Sequence, residues 1–125
     1  MLSKNPVFPS IRVSNLVAAK EFYEGKLGLK IIYNMPGELL LLAGKNSRIY
    51  LYEGSKSVPE HTVAVFYVDN IKETVNELKE NGVVFQHYNT PDIKTDPNGI
   101  AAIGPKKGAW FKDPDGHILA LSQIK

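Results

Sequence analysis

The chain contains a second copy of its own outline, and this constrains the fold more than any single motif. Val13-Ser14-Asn15-Leu16 returns 55 positions later as Val68-Asp69-Asn70-Ile71. Each copy runs strand, asparagine, amphipathic helix, glycine, strand. In the first copy, residues 7–13 alternate Val7/Ile11/Val13 with Phe8/Ser10/Arg12, the period of a strand. Pro9 has no N–H to donate, which marks a strand start or a partly unpaired edge. Asn15 suits the N-cap of a helix from about Leu16 to Lys26, where Leu16, Ala19, Phe22, Tyr23 and Leu27 form one stripe. Gly28 is placed to end it. Lys30 to Asn34, Glu38 to Ala43 and Arg48 to Glu53 read as strands separated by two turns.

The second copy opens with a strand from Val63 to Val68. A helix follows to about Glu80, capped by Asp69 or Asn70, with Ile71, Val75 and Leu78 as its buried stripe. Asn81-Gly82 closes that helix, and Val83 to His87 is expected as a strand. Ala109–Phe111 and Ile118–Leu121 then flank the turn Lys112-Asp113-Pro114-Asp115-Gly116. The closing strands Ile49-Tyr50-Leu51 and Leu119-Ala120-Leu121 correspond at a spacing of 70. The extra 15 residues of the second copy therefore fall between Tyr88 and Lys107, and look like an insertion. The expected class is α+β, two βαβββ modules at about 1–56 and 60–125. Each has one apolar sheet face that must cover the other or pair with another chain.

At 125 residues the chain is the size of one domain, 1–125. It has no cysteine, which excludes disulfides, thiolate zinc sites and cysteine nucleophiles. The first residues, MLSKNPVFPSIRVS, lack the apolar core of a signal peptide, and the longest apolar run, Leu39 to Ala43, is too short to span a bilayer. A cytoplasmic protein with no membrane association is expected. The formal charge of +2 comes from scattered lysines, which argues against a nucleic-acid partner. The densest pair, Lys106-Lys107, reads as a solvated loop. No serine–histidine–acid set and no glycine-rich phosphate loop can be assembled from the spacing. The Asp113-Pro114-Asp115-Gly116 segment lacks a twelve-residue calcium loop and reads as a turn.

Three segments together resemble the vicinal-oxygen-chelate superfamily, the glyoxalase/bleomycin resistance protein/extradiol dioxygenase family. They are IRVSNLVAAKEFYEGKLGL (11–29), VFYVDNIKETVNELKENGV (65–83) and AWFKDPDGHILAL (109–121), and they span nearly the whole chain. The resemblance implies a half-open mixed β-barrel around a ligand cavity, commonly in a homodimer. The superfamily holds glyoxalases, dioxygenases, epimerases, fosfomycin-resistance enzymes and metal-free antibiotic-binding proteins, so the fold leaves the activity open.

Metal-dependent members place His, Gln or Glu at four cavity-facing strand positions. Carried over one at a time, these positions are Phe8, Val63, Tyr50 and Ala120. Together they offer one weak phenolic ligand, whereas a divalent ion needs several converging N or O donors. The expected cofactor is therefore none, and no catalytic residue is assigned. A relocated site would draw on His61, Glu53, His87 or His117. His61 lies two residues before Val63 and reaches the same side if the strand starts early. His117 is expected to be exposed, and for each histidine an ordinary, partly exposed side chain is the simpler reading.

If Phe8 faces the cavity, strand alternation brings Ser10 and Arg12 with it. The same reasoning groups Tyr50 with Arg48 and Tyr52, and Val63 with Val65 and Tyr67, while Trp110 or Phe111 arrives from the closing hairpin. The candidate ligand-binding residues are thus Phe8, Ser10, Arg12, Tyr50, Tyr52, His61, Val63, Tyr67, Trp110 and Ala120. Arg12 either pairs with a ligand carboxylate or phosphate or salt-bridges a neighbour, and spacing leaves both open. For each aromatic taken singly, core packing is the simpler reading. Residues 88–108 are either a lid or a disordered insertion. Three functions follow: a metal-independent pocket for a neutral or anionic aromatic or hydrophobic molecule in a homodimer, a lyase, isomerase or dioxygenase with a relocated metal, or a non-catalytic regulatory subunit.

Overall fold

The structure, a computed structural model, describes residues 1–124. The chain divides into two compact units, Met1–Ser57 and Val58–Lys125. Each builds one four-stranded sheet from a βαβββ run, as the repeat predicts.

The first unit contains β1 (Ser10–Val13), α1 (Leu16–Lys20), β2 (Lys30–Met35), β3 (Glu38–Ala43) and β4 (Ser47–Glu53), in spatial order β1-β4-β3-β2. The second contains β5 (Thr62–Tyr67), α2 (Ile71–Glu80), β6 (Ala101–Ile103), β7 (Lys106–Lys112) and β8 (Ile118–Ile124), in order β5-β8-β7-β6. In both, the first strand runs parallel to the last and the other pairs are antiparallel. The repeat extends to register. Ser10 pairs with Tyr50 and Val65 with Ala120, so the spacings of 55 and 70 carry one pairing onto the other.

Both helices start on the asparagine that the repeat singles out. Asn15 Oδ1 accepts from Ala18 N at 3.0 Å, and Asn70 Oδ1 from Glu73 N at 3.1 Å. The expected helix to Lys26 is α-helical only to Lys20 and then widens into a π-helical turn over Glu21–Lys26. The Leu27 N–H donates to Phe22 O, five residues back. This wider turn lets the adjacent Phe22 and Tyr23 both bury, their rings edge-to-face at 5.3 Å. Gly28 then leaves the helix at φ +77°.

One face of each sheet is buried. In the first unit Ile11, Val13, Leu39, Leu41, Ile49 and Leu51 alternate with more accessible neighbours and form the core with Ala19, Phe22 and Tyr23. In the second, Ala109, Phe111, Leu119 and Leu121 form it with Ile71, Val75 and Leu78. Side-chain alternation leaves the opposite face of each sheet more open.

Two expectations change in the second unit. Residues 83–87 do not form a strand: Phe85 makes a single bridge to Phe111, and Gln86 N–H donates to Trp110 O at 2.8 Å. The sheet's edge is instead β6, inside the stretch read as a lid or a disordered insertion. Thr95 Oγ1 ties the preceding loop to Tyr88, accepting from Tyr88 N at 2.9 Å and donating to Tyr88 O at 3.2 Å. Gly99 turns the chain at φ +90°, where a β-carbon would sit 3.0 Å from Phe85 Cβ. No helix among the described residues is long and apolar enough to cross a membrane.

Candidate functional site

The more accessible face of the second sheet carries a depression of about 190 Å³. Trp110 lines it. The indole folds back along β7 over Gly108, whose missing side chain leaves the room: a β-carbon there would lie 3.1 Å from Trp110 Cη2. Tyr88 meets the same indole edge-on, with ring centroids 5.6 Å apart. Ala120 pairs with Trp110 across the ladder and contributes only a methyl group, which keeps the floor low. Val65 and Tyr67 approach from β5, 44% and 74% exposed. Thr62, Tyr67 and Ser122 supply hydroxyls, and Lys106 and Lys107 supply cations.

Of the residues expected here, Tyr67, Trp110 and Ala120 come together. Val63 does not line the depression. It is the extra residue of a bulge, since Thr62 pairs with Ile118 and Ala64 with the next residue, Leu119. The bulge breaks the alternation assumed from sequence and brings Thr62 to the open face instead. His61 is exposed at the bend before β5. Lys106 and Lys107, read as a solvated loop, lie in β7 and line the depression. An alternation of Lys106, Gly108 and Trp110 could have shown this in the sequence, had the strand been started before Ala109.

The first sheet's more accessible face is aromatic and carries two arginines. The Tyr50 and Tyr52 rings stack at 5.7 Å, and Arg48 lies over the Phe8 ring at 5.5 Å. Ser10 and Arg12 pair with these tyrosines across the ladder. Gly54 lies against the Arg12 side chain: a β-carbon there would stand 2.6 Å from Arg12 Cδ. Among the described residues, Arg12 Nε is the one buried side-chain N or O with no hydrogen-bond partner. Tyr50 Oη donates to Glu38 Oε2 at 3.1 Å. Desolvation, that hydrogen bond and the Glu38 charge hold the Tyr50 hydroxyl above the ordinary tyrosine range.

These residues do not fit a divalent metal. Phe8, Val63 and Ala120 have no donor atom, Thr62 adds only a hydroxyl, and the phenolate that a metal would draw from Tyr50 is disfavoured by its surroundings. The relocated alternative fares no better residue by residue. Glu53 Oε2 already accepts from Leu16 N at 3.0 Å, at the start of α1, and His87 is exposed. His117, expected on the surface, is 2% exposed. Asp113 holds it there: Oδ1 accepts from the backbone N–H of Asp115, Gly116 and His117 at 2.8–3.0 Å, and Oδ2 lies 2.9 Å from His117 Nδ1. Among the described residues no three His, Asp or Glu side chains gather into an ion-binding group.

Comparison with known proteins agrees with this architecture. The chain resembles a glyoxalase family protein from Enterococcus faecalis at 25% identity and TM-score 0.69, over 98% of this chain and 99% of that one. It resembles TnmS3, an antibiotic binding protein from Streptomyces sp. CB03234, at 21% identity and TM-score 0.65, over 96% and 97%. The fosfomycin resistance protein FosX from Listeria monocytogenes, in its hexagonal form, matches at 18% identity and TM-score 0.72, over 97% and 93%. At such identities the last two show a shared fold and nothing finer. No curated protein sequence matches the chain. The family profile described as Glyoxalase/Bleomycin resistance protein/Dioxygenase superfamily matches residues 6–121, both βαβββ units included. With its duplicated topology and register, the chain belongs to that superfamily.

Proposed function

We propose that this protein binds a neutral or anionic small molecule of aromatic or hydrophobic character, without a metal ion, and that it works in the cytoplasm as a homodimer. The depression under Trp110 carries this reading. An indole braced by Gly108 and Tyr88 offers a flat apolar surface, and the small Ala120 leaves room beside it. Such a surface takes a planar ring by stacking, at about 0.5–1.5 kcal/mol beyond the area buried. Lys106 and Lys107 at the rim favour an anionic substituent over a cationic one. In the first unit, Arg12 Nε is a buried donor without an acceptor, an arrangement that costs about 1–3 kcal/mol unless a ligand or water pairs with it. A protein of the same fold, TnmS3, is described as antibiotic binding, so the fold is compatible with a binding role.

Trp110 is the only tryptophan, so the site carries its own reporter. A fluorescence screen of planar carboxylates and phenols against matched amines, in the presence of chelator, tests the proposal. Saturable quenching by the neutral and anionic members supports it. Quenching by none, or by the amines alone, overturns it.

A further inference from the structure

We propose a second binding site in the same unit, for a small dianion of the phosphate-monoester type carrying a short aliphatic group. A cavity of about 440 Å³ lies between the start of α2, the loop before β6, and β7. Three lysines line it from three separate stretches of chain, Lys72 on α2, Lys94 in the loop and Lys107 on β7. The one carboxylate in the lining, Asp96, is committed to the loop itself. Its Oδ1 accepts from Asn98 N at 2.8 Å and Ile100 N at 2.9 Å, which closes the turn and offsets part of its charge.

The wall is thus cationic by three ammonium groups against one engaged carboxylate. A phosphate monoester carries about −1.5 to −2 charges at neutral pH and suits several point cations better than a single one. The start of α2 contributes little beyond placing Lys72. Two of its first-turn N–H groups are already taken, Ile71 N by Gln123 Oε1 at 2.7 Å and Glu73 N by Asn70 Oδ1 at 3.1 Å. Ile71, Ile100 and Ala102 give the cavity an apolar side, which is where a short alkyl chain would lie. The loop is a formed wall, since the Thr95–Tyr88 clamp and the constrained Gly99 fix both its ends. This site is separate from the Trp110 depression except at Lys107, which borders both.

The test is a titration of the isotope-labelled full chain with inorganic phosphate and with n-butyl phosphate, followed by amide chemical shifts against chloride at matched ionic strength. Saturable shifts are expected at Lys72, Lys94 and Asn98, with n-butyl phosphate binding several-fold tighter than inorganic phosphate. The exposed pair Lys72→Gln/Lys94→Gln should weaken binding roughly fivefold or more, and Lys72→Arg/Lys94→Arg should retain it. Shifts that chloride reproduces would overturn the proposal. So would shifts that survive the glutamine pair, or that cluster at the Trp110 indole instead. The Trp110 fluorescence response to aromatic ligands should be unchanged in the glutamine pair, so failure of this site leaves the aromatic site independently testable.

Discussion

Trp110 occupies the space that a side chain on Gly108 would fill: a β-carbon there would stand 3.1 Å from Cη2 and 3.3 Å from Cζ2 of the indole. Residues two apart on a strand share a face, so the glycine is what lets the ring lie down along β7. Gly108→Ala should push the indole outward by a few tenths of an ångström. We expect a shifted emission maximum and a several-fold loss of affinity for planar ligands. Stability should change by less than ~1 kcal/mol, because strand backbone favours alanine over glycine. Emission and affinity that match the parent protein would show that the packing does not shape the site.

Gly54 stands in a similar relation to Arg12, where a β-carbon on the glycine would come within 2.6 Å of Arg12 Cδ. The arginine side chain can move where a backbone could not. Gly54→Ala should therefore displace the guanidinium without unfolding the unit. Both Gly54→Ala and Arg12→Ala are expected to reduce the first unit's own discrimination between a small carboxylate and its amide. Arg12→Lys should not restore it, since lysine has no Nε–H donor at that position. Paired titrations of a carboxylate and its amide would read this out, and equal discrimination in all three variants would contradict it.

Asp113 serves the fold. Three backbone N–H groups and the His117 ring depend on its carboxylate, and the group is almost fully buried. Asp113→Ala removes the carboxylate partner of Asp115 N, His117 N and the His117 ring, while Gly116 N keeps Asp113 O at 2.9 Å, and should cost roughly 2–4 kcal/mol. For a chain of this size that is a fall in Tm of about 10 °C. Thermal unfolding followed by circular dichroism would check it, and a Tm within a degree or two of the parent would contradict it.

Tyr50 should give stability a pH dependence at alkaline pH. Its folded-state pKa is raised above the ordinary tyrosine value by desolvation and by Glu38, so the folded protein keeps the proton longer than the unfolded chain. The contribution is complete below the ordinary tyrosine pKa of about 10 and is lost as pH rises through the higher folded value. Tyr50→Phe should remove that slope, and the tyrosinate absorbance difference between the two proteins should titrate later than a free tyrosine. A difference curve at or below the ordinary range would contradict the assignment.

Much of this was legible in the sequence because the repeat fixed relationships as well as elements. The Asn15 cap and the buried stripes were readable from residue spacing, the second cap was narrowed to Asp69 or Asn70, and the spacings of 55 and 70 carry the observed Ser10–Tyr50 pairing onto Val65–Ala120. What escaped depended on local geometry that residue types do not announce. Thr62-Val63-Ala64-Val65 looks like a regular strand, and only the ladder shows the bulge that brings Thr62 to the open face. β6 is three residues long and has no alternation of its own, so it depends on the Thr95–Tyr88 clamp upstream. His117 had a readable signal in the four-residue spacing from Asp113, but an acidic turn beside a histidine reads first as surface.

The central claim is ligand binding at the Trp110 depression without a metal ion. Calorimetric titration of the tightest planar ligand from the fluorescence screen tests it most directly, run on protein stripped with chelator and again after adding Zn²⁺, Mn²⁺, Ni²⁺ or Fe²⁺. Equal affinity in all preparations, lost on replacing Trp110 by Ala, is the expected result. Affinity that appears only with metal, or that survives Trp110→Ala, would contradict it.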